Sequence, residues 1–115
     1  MTVFESTLTE GNLRNGHIYI TSLRPSLPAD VFGGSTKDNP APSAIRLEFG
    51  SLVADTDVPT DRNGRPRLFF RDRRFVRGFF DRTGAAPGDT VLFEQVSAYH
   101  FRLALRTFSG RTITP

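Results

Sequence analysis

The sequence predicts a mainly β domain with two short helices, arranged as an antiparallel barrel or sandwich. Three observations predict it. Short stretches of alternating apolar and polar residues recur along the chain. Clusters of Asn, Gly, Asp and Pro separate them, as turns separate strands. Two segments break the alternation: one groups prolines as a helix start does, the other spaces phenylalanines at helical intervals.

Taken in order, "NGHIYITS" (residues 15–22) reads as a strand entered from Asn-Gly. "PSLPADVF" (25–32) reads as a short helix with Ser26 as N-cap. "STKDNPAP" (35–42) is a loop by composition. "SAIRLEFG" (43–50) sets Ile45, Leu47 and Phe49 against Arg46 and Glu48, a half-buried strand. "SLVADTDV" (51–58) continues as a strand. "PTDRNGRP" (59–66) is a hairpin marked by Asn63-Gly64, and "RLFF" (67–70) is its returning strand. Phe75, Val76, Phe79 and Phe80 then share one helix face, with Asp72 at the start and Gly84 at the C′ place. "PGDTVLFEQ" (87–95) turns into a strand. "AYHFRLALR" (98–106) alternates again, and the tail after it is ambiguous.

The 115 residues suit one domain spanning the whole chain. There is no cysteine, which excludes a disulfide framework and a thiolate metal site. No apolar run reaches the ~18 residues a membrane helix needs. Residues 1–9 lack the basic and apolar regions of a signal peptide, so a cytoplasmic location is expected.

Net charge is only +3, but the positive charge is concentrated. Residues 62–82 hold eight arginines against Asp72 and Asp81 alone. The remaining residues therefore sum to −3. A GC-rich genome would explain arginine over lysine, but it does not explain clustering. A basic stripe on a slightly acidic body is the footprint of a polyanion binder. An ordinary solvated basic helix is the plainer alternative.

Enzyme readings find little support, and the chain is expected to be neither an enzyme nor a cofactor binder. His17 and His100 are far apart in sequence and in no ligand-spaced cluster. Asp55 and Asp57 form a lone acidic pair. The only lysine, Lys37, lies in the loop and outside any acid-x-Lys strand. No metal site is expected.

The stretch "GRPRLFFRDRRFVRGFFDRTGAAPGDTVLFEQ" resembles the second half of the DNA-binding pseudobarrel family. That family includes the "B-three" domain of plant transcription factors and effector domains of some restriction endonucleases. In the plant branch a basic hairpin precedes a helix with Trp-x-x-Phe-Val, then Gly-Asp, then a Val-x-Phe strand. Here Phe79-Phe80, Gly88-Asp89, and Val91 with Phe93 stand at those places, and Val76 stands at the tryptophan. The Pro28-Ala29-Asp30 and Gly33-Gly34 wording is similar to prokaryotic members attached to restriction-modification systems. The resemblance covers about residues 6–106.

The resemblance implies a seven-stranded open pseudobarrel that holds double-stranded DNA between two arms. By position the N-arm is Asn12 to Asn15 and the C-arm Asp61 to Arg67. Asn12, Arg14, Asn15, Arg62, Asn63, Arg65 and Arg67 are the candidate DNA contacts. Their chemistry suits the major groove, where arginine reads guanine and a carboxamide reads adenine. The phenylalanines of 72–82 are core, and Arg73, Arg74 and Arg77 are a solvated face or phosphate contacts. The resemblance further implies a monomeric recognition domain, with a nuclease as a fused or separate partner. The rival is a dimeric swapped-hairpin regulator or antitoxin.

Overall fold

The computed structural model describes residues 2–115. It is mainly β with two short α-helices. The elements run β1 (Val3–Thr7), α1 (Glu10–Asn15), two 3₁₀ turns (Arg24–Ser26 and Ala29–Val31), β2 (Ile45–Phe49), β3 (Leu52–Thr56), α2 (Arg74–Thr83), β4 (Thr90–Ser97), β5 (His100–Arg106) and β6 (Thr112–Ile113).

The six strands form one open sheet in the order β1-β4-β5-β2-β3, with β6 also on β5. It is a mixed sheet, because β2 and β5 run parallel. The expected all-antiparallel pattern therefore holds for every pair except this one.

The alternation read from the sequence sets the inner face. Phe4 lies opposite Phe93, Val91 opposite Leu105, Phe93 opposite Leu103, and Leu47 opposite Phe101. These side chains are buried or packed on the core. The helix α2 adds Phe75, Val76, Phe79 and Phe80, and Phe79 meets Phe49 edge to face at 5.1 Å. The phenylalanines of the basic stretch are thus core, as the helical spacing predicts. Asp72 accepts from the Phe75 N–H at 2.8 Å, and Gly84 ends α2 with its N–H on the Phe80 carbonyl.

Three readings of the sequence need correction. Residues 15–22 are not a strand: Asn15 ends α1, 17–20 bury Ile18 and Ile20 but form no ladder, and 21–22 begin a turn. They contribute one cross-link, from the Ile20 N–H to the Leu68 carbonyl at 2.7 Å. Residues 67–70 likewise do not form a regular strand. The expected helix at 25–32 is two separate 3₁₀ turns, because Pro28 has no N–H to continue the first.

The outer face of the sheet neutralises itself. Arg46 pairs with Asp55, Arg102 with Glu48 and Glu94, Arg106 with Glu5, and His100 touches Glu48. Gly88-Asp89 fastens the end of the sheet. Asp89 is buried, and its carboxylate accepts from the N–H groups of Ala86 (2.9 Å) and Phe108 (2.8 Å). Among the described residues no helix is long and apolar enough to cross a membrane.

Candidate nucleic-acid interface

The C-arm is a tight hairpin. The Gly64 N–H bonds to the Asp61 carbonyl at 3.0 Å, and the Asp61 N–H to the Arg65 carbonyl at 2.8 Å. The loop is therefore Arg62-Asn63-Gly64. Gly64 alone takes a positive φ, 78°, which a β-carbon would strain. Asn63 stays at negative φ, so this is a three-residue loop ending in a left-handed glycine and not a two-residue Asn-Gly turn. Asp61 stiffens it from inside, accepting on one oxygen from Asn63 N–H (2.8 Å) and Arg65 N–H (2.9 Å). The arm's base is tied by Arg67 N–H to Pro59 carbonyl and by Thr60 Oγ1 to Gly33 carbonyl. Arg62, Asn63, Arg65 and Arg67 all stand exposed on it.

The N-arm residues, Asn12 to Asn15, lie in the helix α1, which the sequence reading did not assign as a helix. Thr9 and Asn12 form a reciprocal cap: Asn12 N–H donates to Thr9 Oγ1 and Thr9 N–H to Asn12 Oδ1. The Thr9-x-x-Asn12 spacing was the signal for it. Asn12 is 2% exposed, so its carboxamide holds the helix start and does not face a groove. This corrects its expected role as a base reader. Arg14 and Asn15 are exposed.

The two arms are joined behind their tips. His17 stacks flat on Phe69, with ring centroids 3.8 Å apart and 7° between planes. Arg77 reaches from α2 to the end of α1, its Nη2 3.5 Å from the Arg14 carbonyl. It can do so because Gly16 has no side chain: a β-carbon there would lie 3.0 Å from Arg77 Nε. Arg67 and Phe69 line two neighbouring pockets. One, of about 370 Å³, also has His17, Ser35, Arg71 and Arg73 in its wall. The other, of about 290 Å³, has Tyr19, Asp61, Pro66 and Leu68.

The electrostatics of this surface are one-sided. Among the described residues, Arg71 is the only arginine of 62–82 in an ion pair, with Asp57. The other seven have no carboxylate partner. Their potential reaches His17, whose pKa is lowered first by burial and then by Arg73, Arg77 and Arg67. Its Nε2 is buried without a hydrogen-bond partner. The acids of the sheet end are committed elsewhere: Asp55 to Arg46, and buried Asp57 to Arg71 and the Ala41 N–H.

No family model matches the chain, and neither a curated protein nor a solved structure gives a match.

Proposed function

We propose that this chain is a sequence-specific double-stranded DNA-binding domain of the pseudobarrel type, reading the major groove with two arms. The observation that carries this reading is the set of seven arginines left without acidic partners across 62–82. The sheet's outer face pairs its arginines with carboxylates. Unpaired arginines repel one another and gain from a polyanion.

Shape supports the same reading. A stiff hairpin carrying Arg62, Asn63, Arg65 and Arg67 is narrow enough for a groove ~12 Å wide. Arg14 and Asn15 stand exposed on the second arm. The Ile20–Leu68 bond joins the segments that follow the two arms, which supports a two-armed reading. In this reading the domain needs no cofactor and serves as the recognition part of a restriction-modification system, its nuclease fused or separate.

Selection of bound duplexes from a random library tests the proposal. A single enriched motif, bound by a monomer, is expected. Retention of RNA and duplex DNA without sequence preference would overturn it, and an obligate dimer would favour the swapped-hairpin regulator.

A further inference from the structure

We propose that the pocket walled by Tyr19, Asp61, Pro66 and Leu68 seats the major-groove edge of a cytosine. The inference rests on the duplex-binding reading above and adds one base preference to it.

The pocket is out of keeping with its surroundings. Tyr19 is 44% exposed and Leu68 41%, in the midst of the most basic surface of the molecule. Their placement follows from the fold. Ile18, Ile20 and Phe70 point into the core, so the intervening Tyr19 and nearby Leu68 point out, and the Ile20–Leu68 hydrogen bond holds them side by side. Apolar side chains do nothing for a phosphate, which loses hydration against them. In the major groove the apolar position is C5 of a pyrimidine, and purines put the N7 acceptor on that edge instead.

Asp61 supplies the second criterion. One of its carboxylate oxygens carries both turn N–H groups. Oδ2 has no hydrogen bond among the described residues, and Asp61 lines the pocket. A carboxylate beside phosphates is repelled, but it accepts well from the exocyclic amine of cytosine. Thymine presents a carbonyl oxygen at that point, which opposes acceptor to acceptor. An apolar wall at C5 and an acceptor at N4 together select cytosine over thymine and over both purines. The same wall receives a methyl group at C5 without losing a hydrogen bond.

The test uses Asp61→Asn. Its amide oxygen keeps the turn's two hydrogen bonds, while its NH₂ replaces Oδ2 and prefers thymine. Binding of the selected duplex is measured with each cytosine changed in turn to thymine. The wild type should discriminate about tenfold at one position. Asp61→Asn should abolish or reverse the preference there and nowhere else. Leu68→Ala should lower affinity several-fold for the selected site and leave random duplex unchanged. Site-specific binding with the same cytosine preference in Asp61→Asn would overturn the seat while leaving the duplex reading intact. Absence of any duplex preference in the wild type would remove the duplex reading and the seat with it.

Discussion

Arg71 donates from Nε to Asp57 Oδ1 at 2.6 Å and from Nη2 to Oδ2 at 3.2 Å. The same Nη2 reaches the Gly34 carbonyl at 2.9 Å, and Asp57 Oδ2 accepts the Ala41 N–H at 2.7 Å. This pair binds the 33–41 loop to the base of the hairpin. Gly33 is part of the joint: a β-carbon there would sit 2.5 Å from Asp57 Oδ2. Arg71 of the basic run is therefore committed to the fold, beside the exposed arginines.

Asp57→Ala should cost about 3–5 kcal/mol, because it strands a partly buried guanidinium and a backbone N–H. Arg71→Ala should be of similar order, since it leaves a buried carboxylate. The double variant should lose much less than the sum. Urea unfolding of all three decides the matter, and losses below ~1 kcal/mol would show that the joint is not needed.

Asn12→Ala separates a cap from a reader. Loss of the Thr9–Asn12 cap should lower stability by about 1 kcal/mol. Frayed α1 should then weaken every duplex alike. A base reader would instead relax preference at a single position, so relaxed specificity at one base pair would restore Asn12 as a contact.

His17 gives the stability a pH dependence. Burial, with Arg73, Arg77 and Arg67, holds its pKa below the ordinary 6.5. The unfolded chain therefore takes up a proton before the folded one does. The contribution of His17 is fully present above pH 6.5 and is lost as pH falls through the lowered value. His17→Gln should flatten this part of the profile. Equal loss in both proteins between pH 7 and 5, followed by denaturant midpoint, would assign the change to other groups.

Salt should weaken duplex binding steeply. Seven unpaired arginines in 62–82 are enough to engage about five phosphates, giving a log–log slope near −4 to −5. A slope close to zero would contradict a phosphate-driven interface.

What could be read from the sequence follows from where the physics is local. The strands at 45–49 and 100–106 were legible because each alternates against one core, and those at 52–56 and 90–97 because turn residues bound short apolar runs. The helix α2 was legible because Phe75, Val76, Phe79 and Phe80 repeat at helical spacing and Asp72 and Gly84 mark its ends. The strand β1 was not, because its inward positions are Phe4 and Ser6, and a buried serine hides the alternation. The helix α1 was hidden by Gly11 and Asn12, poor helix formers that are held by the Thr9 cap. Ile18 and Ile20 look like a strand because their burial alternates, but their ladder is replaced by a single bond to Leu68. The joining of the arms through His17 and Phe69 depends on tertiary packing, which no local pattern records.

The last prediction concerns the division of labour among the arginines. Arg65 and Arg67 stand on the stiffened hairpin, so replacing either with Ala should cost about 1–3 kcal/mol on the specific site and much less on random DNA. Arg65→Lys is a sharper probe: it keeps the charge but loses the planar fork, so non-specific binding should persist while discrimination falls. The helix arginines divide by position. Arg73 lines the pocket beside Arg67, and Arg77 lies against the end of α1, so both face the arms. Replacing Arg73 or Arg77 with Ala should weaken binding about equally on every sequence and reduce the salt slope by about one. Arg74 is exposed and lines neither arm pocket, so Arg74→Ala should change little. Binding of each variant to the selected site and to random duplex, at two salt concentrations, separates these outcomes. Unchanged site preference in the hairpin variants, with preference lost in Arg73→Ala or Arg77→Ala, would make α2 the recognition element instead of the hairpin.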